Sequence, residues 1–132
     1  QQMARDLNLA VSIVPHPIVR AEDGLALSSR NRYLSSEERD WANKISETVR
    51  MVRSESRTHG TVRAGEIVDL AMKHLTTVPI QVEYVEVTTT RNLLCAERDA
   101  YVQSLVSPHF FIAAHVGTTR LIDNTSLNGD NA

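Results

Sequence analysis

Three observations predict an α+β fold, with C-terminal helices packed on a small, about three-stranded, antiparallel sheet. A short helical stretch and a proline-closed apolar run open the chain, a helix–strand unit of the α/β kind. Two stretches with helical apolar spacing fill its middle, and β-branched runs, two of them joined by a glycine turn, fill its last third. The chain has 132 residues, 42% of them apolar, which suits one domain or one domain plus a part of another. Lys+Arg 14 against Asp+Glu 16 gives a net charge of −2, which counts against a general nucleic-acid binder. No apolar run approaches the ~18 residues of a membrane span, and no secretory leader is evident. A single cysteine, Cys95, closes no internal disulfide, so a cytoplasmic setting is expected. The chain begins Gln1-Gln2 in what reads as mid-helix, so a piece of a longer protein is expected.

Residues Gln1–Leu7 are good helix formers, with Asn8 as the stop. Leu9–Val14 is apolar and rich in β-branched residues, and Pro15-His16-Pro17 closes it, which predicts a buried strand. Residues 18–34 hold neither period and read as a loop. Ser35-Ser36-Glu37-Glu38 fits a capping box, and Trp41, Ile45, Val49 and Val52 fall on one face of the helix behind it. That helix runs to about Arg57, roughly 33 Å at ~1.5 Å per residue, with His59-Gly60 as its stop. A second helix is predicted from Arg63 to Leu75, with Ile67, Ala71 and Leu75 inward. Ile80–Thr90 reads as a strand, and Phe110–Val116 with Arg120–Asp123 reads as a hairpin turned at Gly117. Residues 91–109 give no clear pattern, and Asn124–Ala132 is predicted to be a polar, frayed tail.

The loop carries the chemistry. Asp23-Gly24-Leu25-Ala26-Leu27-Ser28-Ser29-Arg30-Asn31 combines two hydroxyls, a guanidinium and a glycine able to adopt positive φ. Such groups can meet several phosphate oxygens together, because an arginine fork donates two hydrogen bonds and keeps its charge. Ser-Ser-Arg-Asn is also ordinary loop composition, so the spacing alone leaves a plain surface loop open.

The run IVPHPIVRAEDGLALSSRNRYL, residues 13–34, resembles the corresponding segment of the pantothenate synthetase (pantoate–β-alanine ligase) family. Its SSRN element is similar to the KMSKS loop of class I aminoacyl-tRNA synthetases. Gln1-Gln2 resembles the end of the family's Lys-Asp-x-Gln-Gln motif, and Thr119–Asn124 resembles its C-terminal hairpin. The resemblance implies that residues 1–19 end a Rossmann-like nucleotidyl-transferase domain and that residues 20–132 form a C-terminal α+β lid. It implies an enzyme that adenylates pantoate with ATP, releasing pyrophosphate, and then joins it to β-alanine with release of AMP. Leu27, Ser28, Ser29 and Arg30 fall at the family's ATP loop, Val19 where its backbone meets adenine, and Gln2 where it binds pantoate. Mg²⁺ would arrive with ATP. The family's His-x-Gly-His motif is absent, so the resemblance places no catalytic group and no metal ligand in this chain, and predicts that the chain alone does not turn over. The expected partners are ATP, pantoate, β-alanine and an N-terminal domain, with no nucleic acid and no membrane. The apolar Leu9–Val14 surface would allow a homodimer. The alternative is a KMSKS-like nucleotide- or tRNA-binding module without ligase activity.

Other residues take plainer readings. His109 and His115 lie about 20 Å apart along a strand and are expected to be separate sheet residues rather than a metal pair. Cys95 is expected to be a buried or inert thiol. Trp41 reads as core, and Glu37, Glu38 and Asp40 suit a helix N-terminus. Arg50, Arg53 and Arg57 read as a solvated face with Glu47 and Glu55. Arg20 and Arg32 either add to a phosphate field or pair with Glu22 and Asp23.

Overall fold

A computed structural model describes residues 1–58, 61–89 and 93–128. Helix α1 spans Gln2–Asp6, and a 3₁₀ turn covers Ser29–Tyr33. Helices α2, Ser36–Thr58, and α3, Ala64–Leu75, follow. Strands β1, Ile80–Thr89, β2, Pro108–Val116, and β3, Thr119–Ser126, form one antiparallel sheet in the order β1-β2-β3. The α+β expectation therefore holds, with three strands.

The capping box forms as read. The Glu38 N–H donates to Ser35 Oγ at 3.2 Å, and the Ser35 N–H donates to the Glu38 carboxylate at 2.8 Å. Ile45, Val49 and Val52 of α2 and Ile67, Ala71 and Leu75 of α3 are buried. They meet Phe110, Ile112, Ala114 and Val116 from the inward face of β2. Trp41 is half-buried against the same core. Registers such as Val85↔Ile112 and Ala113↔Ile122 fix which face each strand turns inward. Gly117, at φ 56, supplies the positive dihedral that a two-residue hairpin turn needs at its first position.

The segment without a readable pattern folds over the start of α3. The Gly65 N–H donates to the Arg98 carbonyl at 2.8 Å and the Ala64 N–H to the Ala100 carbonyl at 2.9 Å. First-turn N–H groups have no partner within their own helix, and this strap supplies one. A Cβ at Gly65 would lie 2.8 Å from the Arg98 carbonyl oxygen, so glycine permits the approach. Val102, in a short 3₁₀ turn, is buried.

Two expectations are corrected and one is refined. Leu9–Val14 is not a strand: Leu9, Val11, Ile13 and Val14 are all exposed, and no described strand lies beside them. A strand exists only through a neighbour's hydrogen bonds, which composition cannot supply. The 18–34 stretch is a loop, as expected, and carries within it the isolated bridge Arg20↔Ala26 and a 3₁₀ turn. Asn124–Ser126 is not frayed but ends β3, and Leu127 is buried, its N–H donating to the Pro108 carbonyl at 3.0 Å. The expected stop at His59-Gly60, the end of the predicted strand at Thr90 and the last tail residues, 129–132, lie outside the described residues.

Candidate nucleotide-binding corner

Residues 19–27 close into a small hairpin. The Ala21 N–H donates to the Leu25 carbonyl and the Leu27 N–H to the Val19 carbonyl, both at 2.9 Å, while Arg20 pairs with Ala26. At the tip, the Gly24 N–H donates to the Ala21 carbonyl at 2.9 Å, and Gly24 adopts φ 88. A turn followed by a residue of positive φ is a common three-residue hairpin connection, and it makes glycine the fitting residue there.

Three attachments fix this hairpin to the domain. Leu25 is buried in the core. The Asp23 carboxylate accepts from the Leu25 N–H at 3.1 Å and pairs with Arg39 Nε of α2 at 2.7 Å. Burial opposes the Asp23 charge, but the Leu25 N–H and the Arg39 guanidinium together hold its pKa below the ordinary 3.8. Arg20 forks onto Asp123 of β3, Nη1 to Oδ2 at 2.7 Å and Nη2 to Oδ1 at 2.9 Å, and Nη1 also donates to the Gly24 carbonyl at 3.2 Å. Arg20 thus pairs with neither Glu22 nor Asp23. Arg32 donates to Tyr33 Oη at 2.6 Å and lies over its ring, 4.8 Å from the centroid.

Beyond the hairpin, Ser28 Oγ accepts from the Arg30 N–H at 3.2 Å and opens the 3₁₀ turn. The Asn31 side chain donates to the Ala26 carbonyl at 3.0 Å, while its Oδ1 is buried without a partner. Between this corner and β3 lies a cleft of about 310 Å³ that includes Leu27, Ser28, Arg30, Asn31, Ile122 and Asn124 in its walls. The Arg30 guanidinium makes no hydrogen bond or ion pair among the described residues. Val19 and Ser29 belong to the same hairpin and turn but do not line the cleft. Gln2 stands apart on α1, its amide donating to Asp6 at 2.5 Å and accepting from Arg5 at 2.9 Å.

Sequence reasoning missed Asp123. Its signal was present: alternation along β3 turns Leu121, Asp123 and Thr125 inward, and an inward carboxylate needs a partner. The remaining candidates are plainly placed. His109 bonds Asn124 at 2.9 Å, and His115 lies 3.6 Å from Glu83. Cys95 is exposed rather than buried; its thiol donates to Glu86 at 3.3 Å, which pushes its pKa up and keeps it protonated.

The same arrangement of elements recurs in solved ligases. Pantothenate synthetase from Thermus thermophilus superposes with a TM-score of 0.82 at 33% identity, over 96% of this chain and 44% of that one. The pantoate–β-alanine ligase of Francisella tularensis, solved with β,γ-ATP and β-alanine, superposes with a TM-score of 0.55 at 25% identity, over 96% of this chain and 37% of that one. The chain belongs to the pantoate–β-alanine ligase family, whose family model matches residues 1–126. Over 96% of its length it is 39% identical to pantothenate synthetase of Paenarthrobacter aurescens, covering 42% of that protein. Over 98% it is 41% identical to a bifunctional pantoate ligase/cytidylate kinase of Synechococcus elongatus, covering 24% of it. The chain thus spans less than half the length of these relatives. No described helix is long and apolar enough to cross a membrane.

Proposed function

We propose that this chain forms the nucleotide-closing part of a pantoate–β-alanine ligase. Residues 1–19 would belong to the end of a Rossmann-like domain and residues 20–132 to a lid over ATP. The observation that carries the reading is the corner at Ser28–Arg30, where Ser28 and Arg30 both line a cleft and the Arg30 guanidinium has no partner among the described residues.

In this reading a carboxylate oxygen of pantoate attacks the α-phosphorus of ATP and displaces pyrophosphate. The β-alanine amine then attacks the acyl carbon and displaces AMP. Both steps need the triphosphate charge balanced and the reacting atoms held together. Arg30 would balance charge on the phosphates, with Ser28, Ser29 and the Leu27 backbone completing the loop, and Val19 would offer its backbone to adenine. Gln2 would turn to pantoate by exchanging its bonds to Asp6 and Arg5. The carboxylate in the cleft wall, Asp123, already accepts from Arg20 and from the Asn124 N–H, so the cleft gives Mg²⁺ no free carboxylate, and the ion would be held by the ATP phosphates. Closure would keep water from the acyl adenylate. The groups acting on the leaving phosphates would come from a partner domain, so the chain alone is proposed not to turn over. The free thiol of Cys95 suits a cytoplasmic setting.

Thermal unfolding with and without Mg·ATP tests the reading. A ligand that prefers the folded state raises its stability, so saturating ATP should raise the melting temperature. An unmoved melting temperature, or retention of tRNA on a filter at low salt, would count against it.

A further inference from the structure

We propose that Arg20 and Asp123 are positioning residues for nucleotide binding, their paired side chains setting where Leu27, Ser28 and Arg30 stand over β3. The inference rests on the function proposed above. Asp123 occupies an inward position of β3, and its side chain is 1% exposed. Both of its oxygens are engaged: Arg20 takes each of them, and Oδ1 also accepts from the Asn124 N–H at 2.8 Å. Arg20 is itself a hairpin residue, pairs with Ala26 across the strands and holds the Gly24 carbonyl. One guanidinium therefore joins the sheet to the tip of the hairpin and to its second arm.

Stability alone does not require a charge here, since a well-packed apolar pair can serve a buried site as well. What a two-bond fork adds is a fixed plane and distance. The other attachments, Leu25 in the core and Asp23 on Arg39, grip the hairpin near its tip. The Arg20–Asp123 pair is the one on the strand that walls the cleft, and Leu27 and Ser28 follow directly after Ala26. Without the fork the hairpin would keep its tip contacts but lose its angle to β3.

The test is titration of the chain with Mg·ATP by calorimetry, beside amide hydrogen exchange. Asp123→Asn keeps the shape and removes the charge; Arg20→Lys keeps the charge and removes the fork. Each should weaken ATP binding about tenfold, the loss of ~1.4 kcal/mol of binding free energy. Each should also speed exchange of the Leu27 amide and leave that of Ala71 in α3 unchanged. Val62→Ala, a core truncation remote from the hairpin, should lower the melting temperature without changing ATP affinity. Wild-type binding that both pair variants leave within about twofold would overturn this inference alone, and so would an equal loss in Val62→Ala. No saturable ATP binding by the wild type would overturn the proposed function and this role with it.

Discussion

The Glu38 carboxylate closes the N-terminus of α2 and also fills the space beside Gly117 in the β2–β3 turn. A Cβ on Gly117 would fall on Glu38 Oε1, at a backbone φ of 56 that L-residues rarely adopt. Gly117→Ala therefore strains the turn and displaces Oε1 of the carboxylate whose Oε2 accepts from the Ser35 N–H. The expected loss is about 1–2 kcal/mol of stability, read from urea unfolding. Unchanged stability would show that Glu38 moves aside without cost.

The other half of the same box is Ser35. Ser35→Ala leaves the Glu38 N–H without its acceptor, and should cost ~1 kcal/mol of stability. Ser35→Asp should recover most of it, since its carboxylate accepts the same bond. Equal stability for the alanine and aspartate variants would contradict the cap.

Asp23 predicts the acid response of the hairpin. Its pKa is lowered in the fold, so its contribution is present above the ordinary 3.8 and is lost as pH falls through the lowered value. The carboxyl signal of Asp23, followed by NMR, should titrate below 3.8, and Arg39→Ala should move that midpoint upward. A midpoint insensitive to Arg39 would remove the ion pair as a cause.

Arg30 should matter to ATP and not to the fold. Arg30→Ala removes a guanidinium with no partner among the described residues, so the melting temperature without ligand should stay within about 1 °C of wild type. The rise produced by Mg·ATP should shrink or vanish. A full rise in the variant would remove Arg30 from the ATP role.

What the sequence showed of this fold was local. The Ser35–Glu38 box, the inward face Ile67-Ala71-Leu75 and the Gly117 turn each lie within a few residues, and each formed where expected. The Arg20–Asp123 pair joins positions 103 residues apart, and no local period announces it. Residues 98–100 escaped for a related reason: the Arg98 and Ala100 carbonyls serve the start of α3 rather than a ladder of their own. Leu9–Val14 misled because composition marks a run as strand-like without providing a neighbouring strand. At the candidate corner, Leu27, Ser28 and Arg30 were legible as chemistry, whereas the cleft wall from β3 was not.

The most direct test of the central claim is AMP release from ATP, Mg²⁺, pantoate and β-alanine. It is measured with this chain alone and again with the N-terminal half of a related synthetase added. The account predicts no turnover by the chain alone, and turnover on mixing that needs both pantoate and β-alanine. Turnover by the chain alone, dependent on both substrates, would contradict it, because the groups acting on the leaving phosphates would then lie within these 132 residues.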